Sequence, residues 1–310
     1  MWSRDQYETV YELVLQQVLT QELDDWSDWS ISLLRTCIPL CHDDTIEVRY
    51  IALLTSLKTT ENGWSAEYFN KELNELQYQL IASKYSKKEV ETFLEENIND
   101  AKMRERVIIS AIERGDYTKV LQLSIDGQAH DHNSPGIVYD WKRYAFSAHK
   151  ELGNTNEMRE LAIELLMNGR DDEYYEELKL LYPADEWLST REKILDDLKE
   201  QNSHLYGTLI IEEQQTERIL DYCKESPTRI ENYYSYLTAP YNEEVCALFI
   251  ETITISAARA SDRKRYQDVC RSITKMQKAG YELEAKQLIG ELKQKHPKRR
   301  ALLDELGKLG

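Results

Sequence analysis

The feature that most constrains this chain is a set of glycines that interrupt long runs of helical periodicity. Gly115-Asp116-Tyr117 breaks the run RERVIISAIERGDYTKVLQL, Gly153-Asn154 breaks the next, and Ala279-Gly280-Tyr281 breaks a third near the C-terminus. On either side, apolar residues recur at three- and four-residue steps, the pattern of a helix that buries one face. Strict alternation is nowhere sustained, and valine and isoleucine fall at helical rather than strand spacing. A helix stopped at glycine and resumed at once folds back as a hairpin. The chain is therefore expected to be all-α, with the stretch from Arg104 to Trp187 at its centre.

Taken in order, the first helix spans 3–23, with Tyr7, Val10, Tyr11, Val14, Leu15, Val18 and Leu19 on one face. A break at Asp24-Asp25 and Trp26 to Trp29 offers Ser27 or Ser30 as an N-cap. A second helix runs through Ile31, Leu34, Ile38 and Leu40, and a third covers 46–57 before an Asn62-Gly63 turn. A fourth spans 65–83, and Ser86 with Glu89 forms a capping box for a fifth. Helices at 100–114 and 116–125 follow, then a polar connection from Gly127 to Gly136 and a helix at 137–152. Helices at 154–168, 172–182 and 185–200 come next, the first ending at Gly169 and the second at Tyr182-Pro183. Short helices near 203–225 and 227–237 lead to Ala239-Pro240, with Pro227 and Pro240 at first-turn positions. The chain closes with 242–260, 263–279, 282–296 and a last helix after Pro297.

Gly280, Ala285 and Pro297 read as the turn glycine, small packing residue and terminal proline of a tetratricopeptide unit. Gly115 with Val120 and Gly153 with Met158 repeat the first part of that pattern. A helix pair buries only one face alone, so such units stack. The expected architecture is a tetratricopeptide-like, right-handed or irregular α-solenoid of helical hairpins. Residues 1–98 form an N-terminal helical segment packed on a repeat region at 99–310.

Charge narrows the partners. The chain carries −17 overall, but residues 259–310 hold 14 Lys+Arg against 7 Asp+Glu, a net +7, leaving −24 for the remainder. An acidic body repels phosphate, whereas the basic end admits a local exception. Twenty tyrosines against four phenylalanines suit half-buried positions between helices. Five widely spaced cysteines do not make a disulfide framework and point to a reducing compartment. The N-terminal residues MWSRDQYETVYELVLQ lack the basic start and apolar core of a signal peptide, and no apolar run approaches a membrane span. A soluble, cytoplasmic protein is expected.

The segments GDYTKVLQL, ELGNTNEMRELAIELLMNG, YYEELKLLYPADEW, DRKRYQDVCRSITKMQKAG and HPKRRALLDELGKL, in this order, resemble the helical C-terminal region of bacterial SWIM zinc-finger-associated proteins. The resemblance covers residues 100–310 and implies a tetratricopeptide-like scaffold. In that family a CxC…CxH zinc module precedes the helices. This chain has no such pattern, so neither zinc nor the role attached to it carries over.

No stretch specifies a reaction. Cys37-x3-Cys41-His42 puts two thiols on one helix face, but a closed zinc site needs four ligands, and buried packing is the alternative. His130-Asp131-His132 is a set that binds a metal or titrates near neutrality, or else a solvated loop. The acid pairs Asp24-Asp25, Asp171-Asp172, Glu176-Glu177, Asp196-Asp197 and Glu243-Glu244 are adjacent, about 100° apart on a helix, and so do not form dyads. No glycine-rich phosphate loop or nucleophile–base spacing stands out. The reading is a non-catalytic scaffold, without metal or cofactor, that binds a protein or peptide. Partner contacts are expected at Tyr117, Trp141, Tyr144, Tyr174, Tyr175, Trp187, Tyr233 and Tyr234, because Tyr and Trp dominate interface energetics. The alternative is a nucleic-acid-associated protein working through Arg263, Arg265, Lys298, Arg299 and Arg300.

Overall fold

The computed structural model describes residues 4–20, 27–59, 63–169, 172–201, 203–237 and 241–309. Every element among the described residues is helical: eighteen α-helices and three short 3-10 turns. The chain divides into two compact units, Met1–Leu161 and Ala162–Gly310. The expected break at Asp24 to Trp26, Asn62, Asp171 and Ala239-Pro240 lie outside the described residues.

The first unit holds α1 (Arg4–Thr20), α2 (Ser27–Thr36), α3 (Asp44–Leu57), α4 (Trp64–Lys84), α5 (Lys87–Glu96), α6 (Ala101–Glu113), α7 (Tyr117–His130), α8 (Pro135–Leu152) and the start of α9 (Thr155–Asn168). Helices α4 to α8 each pack on the next in chain order, and α2 also packs on α4. The apolar core follows the same order. One cluster gathers Leu34, Tyr50, Leu54, Leu73 and Leu76. The next holds Phe93, Leu94, Met103 and Val107, and a third holds Ile108, Ala111, Val120, Trp141 and Ala148.

The second unit continues with the end of α9, α10 (Glu173–Leu181), α11 (Ala184–Gln201), α12 (Ser203–Glu212), α13 (Thr216–Glu225) and α14 (Ile230–Tyr233). It closes with α15 (Asn242–Arg259), α16 (Arg263–Lys278), α17 (Glu282–Lys295) and α18 (Arg300–Gly307). Here α14 to α18 pack on their neighbours and also on the helix after next. Its aromatic packing includes edge-on contacts of Tyr206 with Tyr222 and of Tyr222 with Tyr233, each with ring centroids 5.5 Å apart.

The three glycine turns close alike. Gly115, Gly153 and Gly280 take left-handed φ values of 70°, 74° and 99°. Each donates its N–H to the carbonyl three residues back, while the following residue reaches five back: Asp116 to Ala111 at 2.9 Å, Asn154 to His149 at 3.0 Å and Tyr281 to Met276 at 3.2 Å. These bonds satisfy carbonyls that a helix end leaves open. The residue five after each glycine is buried: Val120, Met158 and Ala285. A fourth hairpin uses the same bonds without glycine. Gln214, at φ 52°, donates to Ile211, Gln215 donates to Ile210 at 2.8 Å, and Ile219 is buried five residues on.

Two boundaries differ from expectation. The second helix does not run through Leu40: α2 ends at Thr36, and a 3-10 turn, Ile38–His42, carries Pro39 in its first positions. Proline has no N–H to donate and crowds the preceding turn, so the α-helix stops short of it. The polar connection expected from Gly127 to Gly136 is mostly helix, because α7 runs on to His130. Gly127 is not a turn. A Cβ there would lie 2.9 Å from the Trp141 ring, so the glycine lets α8 lay its indole against the α7 backbone. The capping box at Ser86 and Glu89 forms as expected. Ser30 does not cap α2 but lies buried inside it. Among the described residues, no helix is long and apolar enough to cross a membrane.

Candidate functional site

The His130-Asp131-His132 segment is a structural joint. Asp131 follows the last turn of α7, and its Oδ2 accepts from Trp141 Nε1 of α8 at 2.7 Å and from the Arg104 guanidinium of α6 at 2.9 Å. His130 Nδ1 stands 2.9 Å from its other oxygen, and His132 Nδ1 lies 3.1 Å from the Ala129 carbonyl. Burial works against the charge on Asp131. The bonds from His130 and Trp141 and the Arg104 cation outweigh it and hold the carboxyl below the usual carboxylate range. One carboxylate thus ties three successive helices, and Arg104 also lies over the Trp141 ring, 5.6 Å from its centroid.

The cysteine pair is packing. Cys37 and Cys41 are each 1% exposed, and burial pushes their thiols up to about 11 and about 12. Their Sγ atoms donate to the Leu33 and Cys37 carbonyls. Protonated, engaged thiols are poor nucleophiles and poor metal ligands. Among the described residues, no group of three or more His, Cys, Asp or Glu converges to hold a metal ion. Of the acid pairs, Glu243 and Glu244 occupy the first turn of α15, where the helix dipole favours them.

The aromatic positions divide by burial. Trp141, Tyr174, Tyr175 and Trp187 are 2%, 4%, 1% and 8% exposed and serve the core, Tyr175 meeting Trp187 edge-on at 5.4 Å. They offer almost no surface to a partner. Tyr117, Tyr144, Tyr233 and Tyr234 are half-buried. Tyr144 donates to Glu105 at 2.8 Å, Tyr233 packs on Tyr222, and Tyr234 packs on Phe249.

The basic positions are similarly mixed. Arg299 donates to the Ala257, Ala258 and Ala260 carbonyls at 2.8–3.2 Å, capping the C-terminus of α15. Arg263 pairs with Asp304 at 3.4 Å and Arg265 with Asp262 at 3.5 Å. Lys298 and Arg300 are exposed.

Two open clefts stand out. The first, about 500 Å³, lies within the first unit between α4, α5 and α6. Tyr78, Tyr85, Val90, Leu94 and Ile109 line it beside the charged Lys87, Glu91 and Glu113, with Tyr85 39% and Ile109 44% exposed. Arg106 forms one wall, stacked 4.0 Å from the Tyr78 centroid and paired with Glu75 at 2.9 Å. The second, about 570 Å³, lies within the second unit between the end of α15 and α16 and is lined by Arg259, Arg265, Arg271 and Lys275. Sequence reasoning placed neither cleft. Ile109 is one of many apolar residues at helical spacing, and Arg271 and Lys275 are two of the 14 Lys+Arg of residues 259–310. Compared with known proteins, the chain matches no family model and no curated sequence.

Proposed function

We propose that this chain is a non-catalytic helical-repeat scaffold of tetratricopeptide-like character, an α-solenoid that binds a protein or peptide. The observation that carries the reading is the α4–α6 cleft. Two large side chains, Tyr85 and Ile109, stand over a third exposed in a lining that mixes apolar residues with Lys87, Glu91, Arg106 and Glu113. Apolar surface gathered in an open groove is what interaction sites use. The repeat character draws support from four interhelical turns closed by one bonding scheme and from a core that advances cluster by cluster along the first unit. The packing of α15 on α17 and of α16 on α18 is the pattern expected of stacked hairpins. Five free cysteines, four of them buried, support a reducing, cytoplasmic setting.

A photo-crosslinking residue placed at Ile109 of the full chain in its source cell tests this reading. One discrete protein or peptide adduct, abolished by Val90→Asp, is the expected result. A folded protein that gives no adduct there would remove it. The second reading, nucleic-acid contact through the basic end, draws on the exposure of Lys298 and Arg300. It requires a salt-sensitive shift of DNA or RNA that neutralising those two residues abolishes.

A further inference from the structure

We infer that the α15–α16 cleft binds a short acidic peptide segment, rich in Asp or Glu, of a partner protein. This rests on the peptide-binding reading above and adds the chemistry of one ligand. Four cations, Arg259, Arg265, Arg271 and Lys275, line the cleft against two carboxylates, Asp268 and Glu231. At one end the charges are internally matched: Lys275 donates to Glu231 at 2.9 Å, and the Ser272 hydroxyl donates to the same carboxylate at 2.5 Å.

The arginines are not matched in this way. Arg259 is exposed and makes no ion pair among the described residues. Arg265 and Arg271, with side chains 62% and 71% exposed, each lean on an aspartate three residues back, Asp262 at the N-cap of α16 and Asp268 within it. Exposed pairs of this kind are weak and exchange readily with an incoming anion. The guanidinium fork takes a carboxylate in bidentate fashion. Between the arginines the lining is small or neutral, at Ser256, Ala260 and Val269, which leaves room for an extended backbone.

The surrounding charge selects the ligand. Residues 259–310 carry +7, whereas residues 162–258 hold 8 Lys+Arg and 21 Asp+Glu, a net −13. The second unit is therefore net −6 as a whole, a field that opposes a long polyanion such as nucleic acid more than a peptide with a few carboxylates.

Fluorescence anisotropy of the full chain with a fluorescein-labelled deca-glutamate peptide tests the inference, with an uncharged glycine-serine decapeptide and a thymidine decanucleotide as comparators. Deca-glutamate should bind saturably at low salt and weaken steeply as salt rises. The double variant Arg259→Ala/Arg271→Ala should lose about tenfold in affinity. Asp268→Asn should tighten binding, because it removes the carboxylate that competes for Arg271. Both variants alter exposed or half-exposed side chains, and an unchanged melting curve establishes that they fold. Absence of deca-glutamate binding at low salt, equal binding by the glycine-serine decapeptide, or wild-type affinity in the double variant overturns the inference. So does tighter binding of the oligonucleotide that the double variant abolishes. If deca-glutamate fails while the Ile109 adduct forms, the acidic ligand falls and the scaffold reading stands; if both fail, both fall.

Discussion

Arg104 in the first unit and Arg271 in the second are both helical arginines paired with an aspartate, and burial separates what they do. The Arg104 side chain is 3% exposed and its partner Asp131 12%, whereas Arg271 and Asp268 are 71% and 47% exposed. A buried pair has already lost the hydration of both ions, so removing one partner strands the other at a cost of about 3–5 kcal/mol. An exposed pair keeps most of its water and contributes about 0–1 kcal/mol. The first unit uses its ion pair as a joint between helices. The second leaves its arginines at a cleft with little holding them.

Asp131→Ala should cost the most stability. It strands Arg104 beneath Trp141, and urea unfolding should register a loss of about 3 kcal/mol or more. The effect has a pH signature. The folded-state pKa of Asp131 is depressed, so its contribution is complete above the ordinary aspartate value of about 3.9 and is lost as pH falls through the folded value. Melting temperatures of wild type and variant should therefore converge as pH drops below about 4, and a constant gap would show that the carboxylate charge is not what stabilises the joint.

Gly127→Ala perturbs the same joint through packing alone. The new methyl meets the Trp141 ring at 2.9 Å, and a loss of about 1–2 kcal/mol is expected after the better helix propensity of alanine is counted. Gly136→Ala, where a Cβ meets nothing within 4 Å, is the control and should be neutral or slightly stabilising. In the second unit Arg299→Ala uncaps two α15 carbonyls and that of Ala260 just beyond. A drop of about 1 kcal/mol in chemical unfolding would place it between the buried and exposed extremes.

Gln214→Gly runs the other way. It relieves a left-handed backbone that glycine adopts freely, and calorimetry should show a gain of about 0.5–1 kcal/mol. Arg271→Ala should shift stability by less than about 0.5 kcal/mol. A larger loss would mean that the cleft arginine is structural after all.

Much of the helical framework could be read from the chain. Periodicity located nearly every helix, and Gly115, Gly153 and Gly280 announced their turns because a left-handed residue favours glycine. The misses share a physical cause. Gly127 carries the same letter as a turn glycine, and only its contact with Trp141, fourteen residues on, shows that it serves close packing. Gln214 gives no local signal, since its strained backbone is imposed by the packing of the hairpin around it. At Pro39 the apolar spacing from Ile31 to Leu40 obscured a stop that the proline itself implies. Aromatic identity marks Trp141 and Tyr175 as energetically important, but whether they face a partner or the core is set by neighbours far off in sequence. For the same reason the two clefts were not legible: each joins residues from helices whose pairing the sequence does not state.

Gly127 also bears on how the protein opens. A glycine inside a helix costs about 1 kcal/mol relative to alanine, so the last turn of α7 has little tendency to persist by itself. What keeps it wound is the indole laid across it from α8 and the carboxylate just beyond, which grips both α6 and α8. When α8 lifts away, the turn from Gly127 to His130 loses its reason to stay helical. The backbone amides on either side of the Asp131 connection should then exchange with solvent as one cooperative block, a seam along which the first unit opens and closes.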